Sequence, residues 1–196
     1  MFDQLAFMMV MMYPFVPIFL IQLHFAVNFW KRLGAWTYFV SFPEWLPIAF
    51  ILYLWQDALL YYQVNLGTLF LVLGIALVVA GVALHVWTAK LLGLKATVGL
   101  TEIKPDIKSE KQTLITSGPF SVVRHPSYWA HTAILTGLFL VTGVISLGAI
   151  VVIDLAITYF VTTNLEDREL SERFGKQFKE YQMKVPKFFP KLAKKK

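Results

Sequence analysis

The chain has 196 residues, of which 57% are hydrophobic and only 15% are charged. A soluble domain typically carries about 25% charged residues, so this composition indicates an integral membrane protein. The sequence contains no cysteine, which excludes disulfides, thiolate metal sites and cysteine nucleophiles. The four histidines show no metal-ligand spacing, so we expect no bound metal.

Apolar stretches along the chain predict five membrane-spanning helices, because a span needs about 20 mostly apolar residues. The first contains Pro14 and Pro17, which we expect to kink it, and it lacks the basic start and cleavage site of a removed signal. The predicted spans cover 5–30, 45–62, 66–92, 126–143 and 146–165. No internal repeat is visible. We therefore expect an all-α, multi-pass membrane protein with one domain over 1–196, built from three N-terminal helices in 1–92 and a functional core in 93–196.

The basic residues predict the orientation of these spans. All 18 Lys and Arg fall on one side of the membrane, at 31–32, in the 90–124 loop and after 165. Because basic loops stay in the cytoplasm, we expect the N-terminus outside and the C-terminus inside. The net charge of +6 then reflects this topology and attraction to anionic lipid heads. No soluble basic domain exists to bind nucleic acid.

Five ionisable residues lie in or near the predicted spans, where a buried charge is costly and each is a candidate for function. They are His24, Asp57, His85, His131 and Asp154. We expect Asp57 to be solvated, and His24 and His85 to make structural hydrogen bonds. The last hairpin brings His131 near Asp154, and a structural contact is favoured over a catalytic one. The catalytic residues remain unassigned.

The loop over 113–128 ends in Arg124-His-Pro-Ser-Tyr128. Pro126 suits the first turn of a helix and pushes His125 out of the α region. Arg124 and His125 then lie at a helix N-terminus, which favours an anion. A basic membrane-entry loop is the alternative interpretation.

A second polar cluster, beginning at Glu166 and Asp167, follows the last predicted span. An amphipathic interfacial helix would explain it. However, the two helices of the last hairpin are antiparallel, so their cytoplasmic ends are neighbours. We therefore predict that Arg124 and His125 lie beside Glu166 and Asp167, in a pocket suited to a zwitterionic ligand.

These motifs resemble those of the isoprenylcysteine carboxyl methyltransferase family, within the larger group of membrane methyltransferases that includes phospholipid N-methyltransferases. The similarity covers roughly residues 90–190. It is carried by 112–120, by 124–128, by Glu166-Asp167 with Leu170, by Phe174-Gly175 and by Tyr181.

The resemblance implies S-adenosylmethionine as cofactor, bound at the cytoplasmic end of the last hairpin. It also implies methyl transfer to a lipophilic or prenylated acceptor that arrives from the lipid bilayer. The cofactor-binding positions implied by the resemblance are Gln112, Thr113, Leu114, Ile115, Phe120, His125, Pro126, Ser127, Tyr128 and Glu166. Thr162 stands where the family has a substrate-binding Arg, so another lipid, a small thiol or an amine remains open as acceptor.

Two alternative functions remain open from the sequence. A sterol-reductase-like enzyme would use NADPH, with Arg124, Lys108 and Lys111 available for its 2′-phosphate. A membrane scaffold or small transporter would need no such chemistry. The spans carry few polar residues and no inverted repeat is visible, and both observations argue against transport.

Overall fold

The computed structural model describes residues 2–34, 36–97 and 113–190, and this part of the chain is helical with no strand. The helices are α1 (Phe2–Met12), α2 (Phe15–Phe25), α3 (Val27–Leu33), α4 (Trp36–Leu54), α5 (Gln56–Tyr61), α6 (Gly67–Leu92), α7 (Leu94–Thr97), α8 (Pro126–Thr142), α9 (Ile145–Ile157), α10 (Thr163–Phe174) and α11 (Lys176–Lys184). A 3₁₀ turn covers Gly118–Ser121, and a π-helical turn, Thr158–Thr162, joins α9 to α10.

Four of these helical segments are long and apolar enough to cross a membrane. They are Gln4–Phe25, Trp36–Leu54, Gly67–Leu92 and Ile145–Phe174. The predicted fourth span is helix α8, whose 17 residues extend over only about 25 Å, less than the roughly 30 Å of a hydrocarbon core. The count of spans among the described residues is therefore four, and α8 as a fifth stays a prediction.

The prolines act differently in the first two spans. Pro14 lies between α1 and α2, as the predicted kink requires, whereas Pro17 lies inside α2. The second span was predicted to begin at 45, but α4 begins at Trp36 and contains Pro43 and Pro47. Membrane helices tolerate interior proline, so residues 36–44, outside the predicted span, are helical as well.

Helices α6 and α8 pack with their backbones almost touching. A Cβ placed on Gly137 would lie 2.6 Å from the carbonyl oxygen of Gly74, and one on Gly81 would lie 2.8 Å from that of Ala130. Small residues permit this approach, which is a common way for helices to associate in lipid, where no hydrophobic force drives them together.

Helices α8 and α9 form the predicted hairpin. Its turn contains Gly143, which has a φ of 68° and whose carbonyl accepts a hydrogen bond of 2.9 Å from the amide of Val64. The 62–66 and 143–146 turns therefore meet. Neither contains Lys or Arg, so the predicted topology puts both on the side opposite the basic residues. A core cluster of Ala6, Val10, Val144 and Leu147 packs next to this junction.

Candidate functional site

The start of α8 has the conformation that its sequence predicts. His125 is the residue before the helix, with φ −120° and ψ 60°, and Pro126 opens the first turn. No side chain at the N-cap position caps the free N–H groups of that turn. The end of α8 nearest His125 therefore carries a positive partial charge and free donors.

The two polar clusters lie together, as the hairpin geometry predicts. Arg124 Nη2 is 2.7 Å from Asp167 Oδ2, and His125 Nε2 is 2.9 Å from Asp167 Oδ1. The other ring nitrogen of His125, Nδ1, is 3.2 Å from Glu166 Oε2. One imidazole thus bridges two carboxylates on consecutive residues of α10, and only 3% of His125 is exposed.

This arrangement determines the charge of the imidazole. Burial lowers the pKa of His125, but the carboxylates of Glu166 and Asp167 outweigh burial and raise the pKa to about 9. At neutral pH His125 is therefore a cation that donates from both nitrogens.

A segment after α11 holds the other side of Arg124. The amide of Arg124 donates to the carbonyl of Pro186 at 2.9 Å, and Nη1 donates to the carbonyl of Val185 at 2.9 Å. The Tyr181 hydroxyl donates to the carbonyl of Phe120 at 2.6 Å, and burial raises the pKa of this tyrosine, which keeps its proton. The C-terminal segment therefore fixes the loop that carries Arg124 and His125.

A cavity of about 290 Å³ opens beside this cluster and extends between the helices. Ser127, Tyr128 and Glu166 line its polar end. Apolar residues of α2 form one wall, namely Phe15, Val16, Pro17, Phe19, Leu20 and Leu23. The remaining lining residues are His24, His85, Thr88, Ala89, Leu92, Ala96, Thr97, His131, Asp154, Thr158 and Thr162. The cavity thus joins a charged end to an apolar interior.

A polar face of α9 and α10 runs along the cavity. Asp154, Thr158, Thr162 and Glu166 follow one another at intervals of four residues, and all four line the cavity. In an α-helix, positions four apart drift by about 40° per step. The wider π turn at Thr158–Thr162 rotates less per residue and offsets this drift. The π turn therefore keeps Asp154 and Glu166, the two ends of this row of residues, on the side that faces the cavity.

The interior end of that row is a contact between α8 and α9. Asp154 is 2% exposed. Its Oδ1 lies 3.4 Å from His131 Nε2, and its Oδ2 accepts a hydrogen bond of 3.3 Å from Thr132 Oγ1. The pairing predicted for His131 and Asp154 is therefore present.

The residues implied as cofactor-binding divide into groups. Ser127, Tyr128, Glu166 and also Thr162 line the cavity, and His125 is buried directly beside it. Thr113, Leu114, Ile115, Pro126 and Phe120 are not among the lining residues, and Leu114 packs on the cluster of Phe178, Tyr181 and Val185. Gln112 lies outside the described residues, as do Lys108 and Lys111.

Several lining residues were assigned other roles or were not singled out from the sequence. His24 and His85 were expected to be structural, yet both line the cavity. Their position as ionisable residues within predicted spans was the available signal. The apolar wall from α2 had no signal, because an entirely apolar helix does not indicate which face meets a cavity. Asp57, which was expected to be solvated, has an exposed side chain.

Within 2–34, 36–97 and 113–190, no group of three or more His, Asp or Glu side chains is arranged to hold a metal ion.

The similarity to known proteins covers the region of the chain that contains this site. A family model described as phospholipid methyltransferase matches residues 69–177, more than half of the sequence. The nickel-cobalt-cadmium resistance protein NccN of Alcaligenes xylosoxydans is 37% identical over 108 residues, 54% of this chain and 50% of that protein. The cobalt-zinc-cadmium resistance protein CzcN of Cupriavidus metallidurans is 36% identical over 108 residues, with the same coverage of 54% and 50%.

A third relative is a protein-S-isoprenylcysteine O-methyltransferase of Xenopus laevis, 33% identical over 123 residues, which are 61% of this chain and 40% of that protein. The matched regions thus span about half of each curated relative or less. No solved structure matches the chain significantly.

Proposed function

The chain belongs to the phospholipid methyltransferase family, and from this premise we propose that it transfers a methyl group from S-adenosylmethionine to a lipophilic acceptor in the membrane. One observation carries the proposal. The charged cluster of His125, Glu166 and Asp167 lies beside a cavity of which Glu166 is a lining residue and of which one wall is apolar. A single space therefore offers partners for a charged cofactor and room for a hydrocarbon chain.

The residues at the polar end fit the charged groups of S-adenosylmethionine. Glu166 lines the cavity, and besides its 3.2 Å contact with His125 Nδ1 the carboxylate keeps lone pairs for further donors. It is suited to accept from an ammonium group or a ribose hydroxyl. The first turn of α8, which carries Ser127 and Tyr128 of the cavity lining, is suited to a carboxylate. When bound, the cofactor supplies an electrophilic methyl group on a sulfonium.

In this proposal the protein mainly positions the reacting groups and excludes water from them. Asp167 and Glu166 hold the His125 ring from both sides, and Arg124 is held by Asp167 and by the backbone of Val185 and Pro186. Fixed groups of this kind align a reacting methyl group with its acceptor, which is the principal requirement of methyl transfer. The phenylalanines of α2 limit water in the interior.

The topology and acceptor are part of the proposal. The basic residues support a cytoplasmic polar end, where a soluble cofactor arrives, with the acceptor entering from the bilayer. Thr162 lines the cavity at the position where the prenylcysteine enzymes have Arg. An acceptor other than a prenylcysteine carboxylate is therefore compatible with the site.

Thermal unfolding of the detergent-purified protein tests cofactor use. We expect S-adenosylhomocysteine at 100 times its Kd to add about 2.7 kcal/mol to the free energy of unfolding, and NADPH to add nothing. Glu166→Gln should weaken S-adenosylhomocysteine binding about 10- to 100-fold, because a hydrogen bond to a charged group is worth about 1.5–3 kcal/mol. Glu172→Gln, on the exposed side of α10, is the matched control. Stabilisation by NADPH alone would reject the proposal in favour of a reductase.

A further inference from the structure

The proposed cofactor contacts leave one ionisable pair of the cavity, the buried Asp154 and the half-buried His131, without a role. Asp154 in α9 faces His131 in α8 at 3.4 Å, and Thr132 donates to its second oxygen. A carboxyl group buried between membrane helices is costly, which makes Asp154 a candidate for function.

The pair lies deeper in the membrane part of the protein than the charged cluster. His131 follows His125 by six residues on α8, which corresponds to about 9 Å along the helix axis. Thr158 and Thr162 line the cavity between Asp154 and Glu166, and the apolar residues of α2 line it as well. The pair therefore faces the region in which a lipophilic acceptor would place its reacting group.

The charges around the interior disfavour an acceptor carboxylate. Among the described residues that line the cavity there is no Lys and no Arg. Asp154 and Glu166 both contribute carboxyl groups to the same cavity. Beside the three histidines of the lining, an acceptor carboxylate would find no Lys or Arg and two carboxyl groups competing for the same donors, whereas an O–H, N–H or S–H group would meet hydrogen-bond acceptors.

We propose that His131, oriented by Asp154, accepts the proton of a protic lipophilic acceptor, an alcohol, a neutral amine or a thiol, during methyl transfer. This inference rests on the proposed function. The acceptor's lone pair forms the new bond to the methyl carbon, and the electrons of the broken carbon–sulfur bond remain on sulfur. The acceptor's proton goes to the imidazole. The sulfonium becomes a neutral thioether, and the imidazole becomes an imidazolium beside Asp154.

The geometry assigns the two ring nitrogens of His131 different roles in the proton transfer. Nε2 lies 3.4 Å from Asp154 Oδ1 without a well-directed hydrogen bond to it. The nearby carboxylate still favours the tautomer that carries its proton on Nε2 and leaves the lone pair on Nδ1. Asp154 then stabilises the imidazolium that forms, as the third member of a catalytic triad does. Thr132 restrains the carboxyl group, and the ring of Tyr13 stacks on the imidazole with centroids 6.3 Å apart.

The test uses full-length protein in vesicles with methyl-labelled S-adenosylmethionine. Dodecanol, dodecylamine and dodecanethiol are the acceptor probes, and dodecanoic acid is the carboxylate control. We expect label in at least one protic probe and none in dodecanoate. His131→Ala and the isosteric Asp154→Asn should lower that transfer about 10²- to 10⁴-fold while the Kd for S-adenosylhomocysteine changes less than threefold. Asp57→Asn, an exposed position on α5, should leave both quantities unchanged.

Chemical rescue separates a catalytic base from a packing residue. Added imidazole should restore transfer at least tenfold in His131→Ala and should not affect Glu166→Gln. Wild-type rates in both variants, loss without rescue, or label in dodecanoate would overturn the inference. So would absence of label from all protic probes while S-adenosylhomocysteine still binds. Failure of the wild-type protein to bind S-adenosylhomocysteine would instead contradict the proposed function.

Discussion

His125 is the side chain on which the charged cluster depends, because it contacts carboxylates through both ring nitrogens. Its pKa, raised to about 9, lies above its ordinary value of 6.5. The folded state therefore binds the proton more tightly than the unfolded state does. The resulting stabilisation is fully present below pH 6.5 and is lost as the pH rises through 9.

We expect the free energy of unfolding of the wild-type protein to fall by about 3 kcal/mol between pH 6.5 and 9. His125→Gln should show no such fall in this window, because glutamine does not titrate. Denaturant titrations at half-unit pH intervals measure both profiles. Parallel profiles for the two proteins would show that the pKa of His125 is not raised by folding.

Asp167 joins the same cluster from its other side. It contacts Arg124 and His125, and its side chain is only 13% exposed. Asp167→Asn should lower the free energy of unfolding by about 3 kcal/mol, because two cations lose a largely buried partner. Glu172→Gln breaks the exposed pair with Arg168 and should cost less than about 1 kcal/mol. Equal losses in the two variants, measured by denaturant titration, would contradict the buried-pair interpretation.

At the scale of helices, the contact between α6 and α8 depends on glycine. Gly137→Ala would place a methyl group 2.6 Å from the backbone of Gly74, and neither backbone yields cheaply. We expect a loss of about 1–3 kcal/mol in unfolding free energy, as for other overpacked sites. At Gly148 the three atoms nearest to the added methyl all belong to the ring of Phe139, the closest at 3.0 Å. Gly148→Ala is therefore the control and should be far milder, and an equal loss would rule out backbone contact as the cause.

The contact between helices adjacent in sequence could be predicted, whereas contacts between helices distant in sequence could not. The 143–146 turn forces α8 and α9 to be antiparallel, so the meeting of His125 with Glu166 followed from chain connectivity. The contact of α8 with α6 and the wall from α2 did not follow. In lipid the outward and inward faces of a helix are both apolar, and hydrophobic periodicity then does not identify the packed face.

The same reasoning applies to the interior of the site. His131 and Asp154 could be paired from the sequence because the hairpin fixes their relative height. The alignment of Asp154, Thr158, Thr162 and Glu166 depends on the π turn at Thr158–Thr162, and no residue in that turn is specific to π geometry. The start of α4 was placed too late because Pro43 and Pro47 are breakers in water but not in this helix.

At the scale of the whole molecule, the proposed topology places the N-terminus and the 62–66 turn outside the cell and α11 in the cytoplasm. The chain has no cysteine, so single cysteines report their location without background. With the N-terminus outside, Asn65→Cys in intact cells should react with a membrane-impermeant maleimide. Lys179→Cys on α11 should react only after permeabilisation. Both positions are exposed, so the opposite pattern would invert the proposed orientation.

The central claim is that the charged cluster and the apolar cavity form one methyl-transfer site. The most direct test incubates native membranes carrying the wild-type protein, Glu166→Gln or Glu172→Gln with methyl-labelled S-adenosylmethionine and extracts the lipids. We expect label in the organic phase for the wild type and Glu172→Gln, and at least tenfold less for Glu166→Gln at a cofactor concentration below its Kd. Equal labelling by all three proteins, or no labelling above that of membranes lacking the protein, would contradict the claim.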